Sequence, residues 1–291
     1  MSDAVELENS DKSENGTSNT LYGSTSLGQS QQTTQKKEKM CFPSIFAGLG
    51  WLPISVGVFL GLSMIVPYCI AVGLGHVSPG FPYISDTGTE PPESCIFGQL
   101  LNLAALFAFA TIFVRYKQIN EYYQAVSGNV LKWNKAAVVV GSLAALGMSL
   151  VANFQETNMI IVHLIGATMC FALGFVYGFI QSLISYKVTP QHCSIHICRL
   201  RLALSIIATI LFVSTMVFAG VANSQWDGTD PRKWLPEDGG FALHVVSTAS
   251  EWGMAIAFLV FFFTFIGEFQ KIEIAAEVKR CNRLLVADPL A

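Results

Sequence analysis

The sequence predicts an all-α polytopic membrane protein with six transmembrane helices and both termini in the cytosol. Of its 291 residues, 52% are hydrophobic and only 13% are charged, whereas a soluble domain carries about 25% charged residues. The mean hydropathy is +0.49, and the apolar residues are gathered in long runs. Six of these runs approach the ~20 residues that a helix needs to cross a bilayer, so we predict six spans.

Each predicted span is an apolar run free of Asp, Glu, Lys and Arg, apart from one glutamate in the last. The third run is short and the fourth is long. The first and fourth contain glycines four positions apart, a spacing that lets helices approach closely. In order, the spans are Leu52–Leu74, Ile96–Val114, Ala136–Asn153, Met159–Ile184, Leu202–Ala222 and His244–Ile266.

The two ends of the chain differ in composition from this central part. Residues 1–40 are rich in Ser, Thr, Gln, Asn and Glu, and such a segment cannot bury enough apolar surface to become ordered. We therefore expect a disordered cytosolic tail over residues 1–40. Residues 41–272 form the predicted transmembrane domain, and residues 273–291 form a cytosolic C-terminal tail.

The orientation follows from the distribution of positive charges, because Lys and Arg accumulate on the cytosolic side of a membrane. The connections at 75–95 and 154–158 contain no Lys or Arg, and the one at 223–243 holds two among four acidic residues. We expect these three connections to face the lumen or the exterior. The cations expected on the cytosolic side are Lys36, Lys37, Lys39, Arg115, Lys117, Lys132, Lys135, Lys187, Arg199, Arg201, Lys271, Lys279, Arg280 and Arg283.

The first lumenal connection contains Asp86-Thr87-Gly88, the short signature of aspartic proteases. Catalysis of that kind needs two carboxyl groups that share a proton, and the chain has one such triplet. We therefore predict no catalytic residues and interpret the stretch as an ordered loop, with Gly88 in a left-handed turn. The candidate loop motif consists of Tyr83, Asp86, Gly88 and Glu93, with Tyr83 placed at the membrane interface.

The segment from His192 to Cys198 reads HCSIHIC and brings four potential zinc ligands together. Zinc sites use these side chains, but usually as two separated pairs. A cytosolic turn next to the membrane is the preferred interpretation, and a metal site is the alternative. We predict no metal and no cofactor. The seven cysteines do not form the pattern of a disulfide framework.

Several polar side chains fall within the lumenal halves of four predicted spans. An ionisable group at such a depth usually faces the helix bundle and has a partner. Two interpretations are open: hydrogen bonds that hold the helices together, or a site that senses protons or admits a small ligand or lipid headgroup. The candidate cluster consists of Gln99, Asn102, Asn153, His163, His244 and Glu251.

Several long stretches resemble the DNA-damage-regulated autophagy modulators. They include PYISDTGTEPPE in the first connection, LGMSLVANFQETN at the end of the third span, and GTDPRKWLPEDGGFALHVVSTASEWGMAIAF leading into the sixth. The resemblance implies six spans, residence in lysosomal or endosomal membranes, promotion of autophagy with ties to cell death, and no known enzyme activity. A sister branch is linked to phosphoinositide kinase recruitment and lipid asymmetry at the plasma membrane.

We therefore expect a non-enzymatic endolysosomal membrane protein that positively modulates autophagy and has a link to apoptosis. The alternative is a plasma-membrane scaffold that regulates phosphoinositide kinase recruitment or phospholipid asymmetry. A third hypothesis, a proton-linked transporter of small solutes, rests on the polar cluster alone. The expected partners are membrane lipids and proteins of autophagy or membrane trafficking, and no nucleic acid.

Overall fold

The computed structural model describes residues 48–123 and 128–273, and it is built from helices. Six helical segments in this part of the chain are long and apolar enough to cross a membrane, which confirms the predicted fold class. The predicted N-terminal tail, residues 1–40, lies outside the described residues, as does all of the C-terminal tail except residue 273. The helices are α1 Trp51–Gly73, α2 Glu93–Tyr123, α3 Asn129–Asn153, α4 Ile160–Val188, α5 Ile195–Gln225, α6 Phe241–Phe263 and the short α7 Ile266–Phe269.

The helices α2 and α5 extend well beyond their predicted spans. Helix α2 continues past Arg115 to Tyr123, and α5 begins at Ile195, before Arg201. The hydropathy pattern ends a span at the first charge, but the backbone has no reason to leave the helix there. Both arginine side chains are fully buried, so these charges lie inside the helix bundle and not in connections.

The six long helices form a closed ring. Each helix packs on its neighbours in the sequence, and α6 returns to pack on α1. The short connections 154–159 and 189–194 favour an antiparallel arrangement of the helices that they join. Large apolar side chains on each of the six long helices are exposed on the outside of the ring, as expected for a surface that meets lipid chains.

Glycines allow the closest contacts within the ring. A Cβ atom added to Gly147 of α3 would lie 2.6 Å from the carbonyl oxygen of Gly166 in α4, so only glycine permits this backbone approach. The predicted pairs also lie at helix contacts, since Gly57 faces Phe263 of α6 and Gly178 faces Ser205 of α5. The spacing pattern missed the α3–α4 contact, where the two glycines belong to different helices.

The connections 74–92, 154–159 and 226–240 meet at one end of the ring, which we call the cap end; residues 74–92 form the cap. The Ser85 hydroxyl donates to Glu156 at 2.7 Å, and Arg232 forms an ion pair with Glu90 at 2.6 Å. The opposite end holds Arg115, Arg201 and Glu268, and we call it the triad end. The charge pattern predicts that the cap end faces the lumen, and this orientation stays a prediction.

Candidate functional site: a capped cavity inside the helix ring

An apolar cavity of about 100 Å³ lies inside the ring, between the helices and beneath the cap. It is lined by side chains of α1, α2, α3, α4 and α6 and by Ile84 and Ser85 of the cap. On α6 the lining extends from Glu251 to Phe262, about 16 Å at 1.5 Å per residue. Cavities with apolar walls and a few convergent polar groups are typical ligand sites.

The cap closes this cavity through three consecutive residues that bond to α6. The carbonyl of Pro82 accepts a hydrogen bond from the Trp252 indole at 2.9 Å. The Tyr83 hydroxyl donates to Ser247 at 2.8 Å. Tyr83 therefore contacts the cap end of α6, and its place at the membrane interface stays a prediction. Burial raises the pKa of Tyr83 to about 12, so the hydroxyl keeps its proton and remains a donor.

The third bond of the cap joins the backbone amide of Ile84 to Glu251, whose Oε2 accepts at 2.8 Å. Glu251 is 9% exposed and lines the cavity. Among residues 48–123 and 128–273, no ion pair involves Glu251. The side chain is thus a buried carboxyl group that faces an apolar space with one neutral partner.

Two further acidic side chains lie next to Glu251 at the cap end. Asp86 is buried at 8% exposure, and its pKa is raised well above the usual value by burial and by the charges of Glu156 and Glu251. A backbone hydrogen bond from Tyr83 and the charge of Arg232 oppose this rise. The cap end therefore brings Glu156 and the two buried carboxyl groups of Asp86 and Glu251 close to one another, and this favours protonation of Asp86.

The predicted intramembrane cluster divides into separate groups. His163 joins Glu251 at the cavity; its Nδ1 lies 2.8 Å from the Phe154 carbonyl, and its Nε2 lies 4.0 Å from Glu156. His244 is also buried, but it stacks on Trp234 at 4.1 Å between ring centroids. These two histidines therefore have different environments, and only His163 reaches the cavity.

The amide residues of the predicted cluster form a bridge between α2 and α3. Asn153 donates to Asn102 at 3.0 Å, and Ser149 donates to the same oxygen at 2.7 Å. Gln99 is exposed on α2 and takes no part in this bridge. The six predicted residues lie near the cap ends of their helices, but only two of them meet at the cavity.

The predicted loop motif is ordered, with one error in its details. Asp86, Thr87 and Gly88 form a buried turn of 3₁₀ helix. The predicted left-handed conformation of Gly88 is wrong, because Gly88 is not among the positive-φ glycines. Glycine is needed there for space instead: a Cβ atom would lie 2.6 Å from the Phe97 ring.

Glu93, the last residue of the motif, begins α2 and is 1% exposed. Its Oε1 lies 2.5 Å from Nδ1 of His76 in the cap. The N-terminus of a helix favours a negative side chain, and the contact with His76 joins α2 to the cap. His76 was not among the predicted site residues.

A buried polar network that was not predicted from the sequence lies at the triad end. Glu268 binds both Arg115 and Arg201 through its two oxygens. Arg115 also donates to Gln181 at 3.2 Å, and Arg201 donates to Ser185 at 2.6 Å. We call Arg115, Glu268 and Arg201 the triad; it ties α2, α5 and α7 together.

A periodic signal for the triad is present in the sequence. Arg115 lies three and seven residues after Ile112 and Ala108, which are both buried. This spacing places all three on one helix face. A charge that continues a buried apolar stripe faces the interior, and this criterion distinguishes Arg115 from a solvated flanking cation.

The four side chains of the HCSIHIC segment do not converge. The thiols of Cys193 and Cys198 lie 3.5 Å apart, but His192 packs edge-on against Tyr122 and His196 is exposed. No group of three potential metal ligands occurs in the part of the chain that the structure describes. Burial raises the pKa of the Cys193 thiol, which keeps it protonated.

Comparison with known proteins agrees with this architecture. Residues 48–272 match the family described as Frag1/DRAM/Sfk1/Cwh43P N-terminal domain. The chain belongs to this family. The matched region begins and ends almost where the described helices do, so it covers the whole helix ring. The resemblance noted in the sequence is thereby confirmed.

Individual relatives carry names that refer to autophagy. The chain is 42% identical over 233 residues to DNA damage-regulated autophagy modulator protein 2 of Rattus norvegicus, covering 79% of this chain and 87% of the relative. It is 36% identical to protein 1 of Homo sapiens, with 80% and 94% covered. Modulator of macroautophagy TMEM150B-B of Xenopus laevis is 41% identical over 169 residues, with 57% and 71% covered. No solved structure matches the chain.

Proposed function

We propose that this protein is a multi-pass membrane protein of lysosomes or endosomes that positively modulates autophagy without catalysing a reaction. The observation that carries the proposal is 42% identity across 87% of a relative named as an autophagy modulator. The family match over residues 48–272 includes the helices, the cap and the cavity, which supports a function carried by this part of the chain. A link to apoptosis is part of the same proposal.

The acidic cap supports placement in an acidic compartment. Burial and the charges of Glu156 and Glu251 raise the pKa of Asp86, so protonation of Asp86 in an acidic lumen relieves its repulsion with these two neighbours. At neutral pH an ionised Asp86 is less favourable in the same place. A cap of this composition is therefore better suited to lysosomes or endosomes than to the plasma membrane, which is the alternative location.

The cavity supports binding better than transport. The cap closes one end through Pro82, Tyr83 and Ile84, and the fully buried triad lies beyond the other. A solute would have to open both ends to pass. We propose that the protein acts through bound lipids or through proteins of autophagy or membrane trafficking.

The test is to restore the protein to cells that lack it. We expect the wild-type chain to co-localise with lysosomal markers and to increase autophagosome turnover. A chain without residues 1–40 tests whether the tail contributes to sorting, with matched expression as the control. Plasma-membrane staining with unchanged turnover would contradict the proposal and favour the scaffold alternative.

The orientation is tested separately by labelling single cysteines from outside sealed lysosomes or endosomes. Cysteines introduced at Asp86 in the cap and at Lys132 in α3 should lie on opposite sides of the membrane. We expect a membrane-impermeant thiol reagent to label the Lys132 position in intact organelles, and the Asp86 position only after permeabilisation. Equal labelling of both positions in intact organelles would overturn the predicted topology.

A further inference from the structure

Phe81, at the tip of the cap, has an unfavourable backbone conformation. Its φ is +53°, in the left-handed region that a bulky side chain rarely adopts. The next residue is Pro82, and a residue before proline favours extended backbone with negative φ. Strained backbone of this kind is concentrated at binding surfaces and other functional sites.

The side chain of Phe81 does little within the protein to offset this strain. The residue is 54% exposed, whereas the residues that follow it bond to α6 and close the cavity. Glycine at this position would adopt the same φ without strain. A strained and exposed phenylalanine therefore indicates that its ring contacts a molecule outside this chain.

Hydrogen bonds on both sides of Phe81 fix the tip of the cap against α1 and α6. The Tyr68 hydroxyl of α1 donates to the Pro79 carbonyl at 2.9 Å, and the Trp252 indole of α6 donates to the Pro82 carbonyl at 2.9 Å. The two aromatic rings also contact each other, with 5.8 Å between their centroids. The tip of the cap therefore lies where α1 and α6 meet.

The positions of these two aromatic residues give the depth of the tip. Tyr68 lies five residues before the end of α1, which corresponds to about 7.5 Å. Trp252 lies eleven residues after the start of α6, which corresponds to about 16 Å. Residues 79–82 therefore lie below the cap-side ends of both helices, within the depth of the membrane spans.

The outer surface of α1 and α6 at this depth is apolar. Helix α1 contains no Asp, Glu, Lys or Arg, and α6 contains only Glu251, which faces the cavity. Ile65 and Ile256, each about one turn from the two aromatic residues, are more than half exposed. Non-helical backbone at membrane depth needs its polar groups satisfied, and the hydrogen bonds to the carbonyls on both sides of Phe81 meet this need.

We propose that the tip of the cap dips into the bilayer leaflet at the cap end and that Phe81 anchors it there by contact with phospholipid. The ring lies near the boundary between head groups and acyl chains, a depth at which Phe side chains of interfacial segments are buried. Ile84, three residues further along, donates to Glu251 over the cavity. Lipid therefore holds the closed cap from outside the ring, and the hydrogen bonds to α6 hold it from inside.

The contact is tested with the purified full chain in phosphatidylcholine nanodiscs, with a photoreactive phenylalanine analogue in place of Phe81. The same analogue replaces Leu106, which is exposed on α2 in mid-span, and Glu237, which is exposed in the connection 226–240. We expect irradiation to attach phospholipid at position 81 with a yield similar to that at position 106 and several-fold above that at position 237. Mass spectrometry identifies the product.

Two variants test whether this contact holds the cap closed. Phe81→Ala removes the ring, whereas Phe81→Leu keeps a large apolar side chain on the same strained backbone. We expect the Ile84 amide to exchange hydrogen about tenfold faster in Phe81→Ala, a change that corresponds to about 1.4 kcal/mol, and at nearly the wild-type rate in Phe81→Leu. Leu235→Ala removes a similarly exposed side chain from another connection of the cap end and is the matched control.

Three results would overturn the proposal. Crosslinks from position 81 to a second copy of the chain, in place of lipid, would identify an interface between copies. A lipid yield no higher than at position 237 would place the ring in water. Equal exchange of the Ile84 amide in the wild type and Phe81→Ala would show that lipid does not hold the cap. These measurements do not involve autophagy, so their failure leaves the proposed function intact.

Discussion

Glu268 at the triad end is held between two guanidinium groups, whereas Glu251 at the cap end accepts one hydrogen bond from a backbone amide. Both carboxyl groups are at least nine-tenths buried. Desolvation makes an isolated buried charge very unfavourable. Each of the two carboxyl groups therefore needs an interaction that offsets this cost. The triad supplies two cations from the protein itself, and the cap end supplies none to Glu251.

The difference separates a structural role from a binding role. At the triad end Glu268 pairs with both guanidinium groups and Phe265 packs against both, while Nη2 of Arg115 has no hydrogen-bond partner among the described residues. At the cap end the carboxyl groups outnumber their cations and one of them faces an open space. The first arrangement holds helices together, and the second leaves an interaction for a proton or a ligand to complete.

The largest effect is expected from Glu268→Gln. This change leaves Arg115 and Arg201 buried without a counter-charge, and breaking a buried ion pair in this way costs about 3–5 kcal/mol. We expect a sharp loss of folded protein and a lower thermal midpoint in detergent. Glu237→Gln, at an exposed connection of the cap end, is the matched control. If the two variants were equally stable, the triad would not stabilise the helix packing as its geometry indicates.

A smaller effect is expected from Glu251→Ala. The variant removes the acceptor of the Ile84 amide, and an unsatisfied buried donor costs about 1–3 kcal/mol. Glu251→Gln keeps an acceptor at the same position and should cost less than about 1 kcal/mol. Thermal unfolding and proteolysis of the cap measure the difference. A loss as large as that of Glu268→Gln would mean that the two ends use their carboxyl groups in the same way.

The cap end differs from the triad end also in its response to pH, because the titration of Asp86 makes the stability of the protein depend on pH. Its folded-state pKa is raised above the usual value of 3.8, so the folded state binds a proton more tightly than the unfolded state does. The resulting stabilisation is complete below about pH 4 and is lost as the pH rises through the folded-state pKa. Each unit of difference corresponds to about 1.4 kcal/mol.

Asp86→Asn removes this titration while preserving the shape of the side chain. We therefore expect the variant to be more stable than the wild type near pH 7, with a smaller difference near pH 4. Thermal unfolding at the two pH values gives the measurement. A wild-type chain that gained stability with rising pH, relative to the variant, would contradict the assigned direction of the shift.

The sequence predicted the six helices well, because an uninterrupted run of about 20 apolar residues can form few structures other than a membrane-spanning helix. It did not predict the triad. Counting Lys and Arg treats each cation as solvated, and so Arg115 and Arg201 were assigned to connections. Their partner Glu268 is 153 and 67 positions away, and pairing at such distances depends on how the helices close into a ring.

The sequence predicted how deep the side chains of the cap-end cluster lie along their helices, but not the direction in which they point. Depth along a helix follows from residue number, at about 1.5 Å per residue. The direction in which a side chain points also depends on the rotation of each helix within the ring. His163 and Glu251 face the cavity, whereas Gln99 faces outward. Glu156 and Ser85, in the connections, have no helical periodicity that could have revealed them.

The smallest effect is expected for Gln99 and Asn102, two residues of the predicted cluster that are close in sequence but have different surroundings in the structure. Gln99 is exposed, so Gln99→Ala should change stability by less than about 0.5 kcal/mol. Asn102, one turn further along α2, accepts from Asn153 and Ser149, and Asn102→Ala should cost about 0.6 to about 1.7 kcal/mol, as for hydrogen bonds between membrane helices. Thermal unfolding of the two single variants in detergent measures both. Because the two positions lie within one turn of the same helix, a difference between them reports mainly on the direction in which each side chain points. Equal losses would mean that the outer face of α2 contacts another molecule, and the contrast between an occupied interior and a lipid-facing exterior would then fail on this helix.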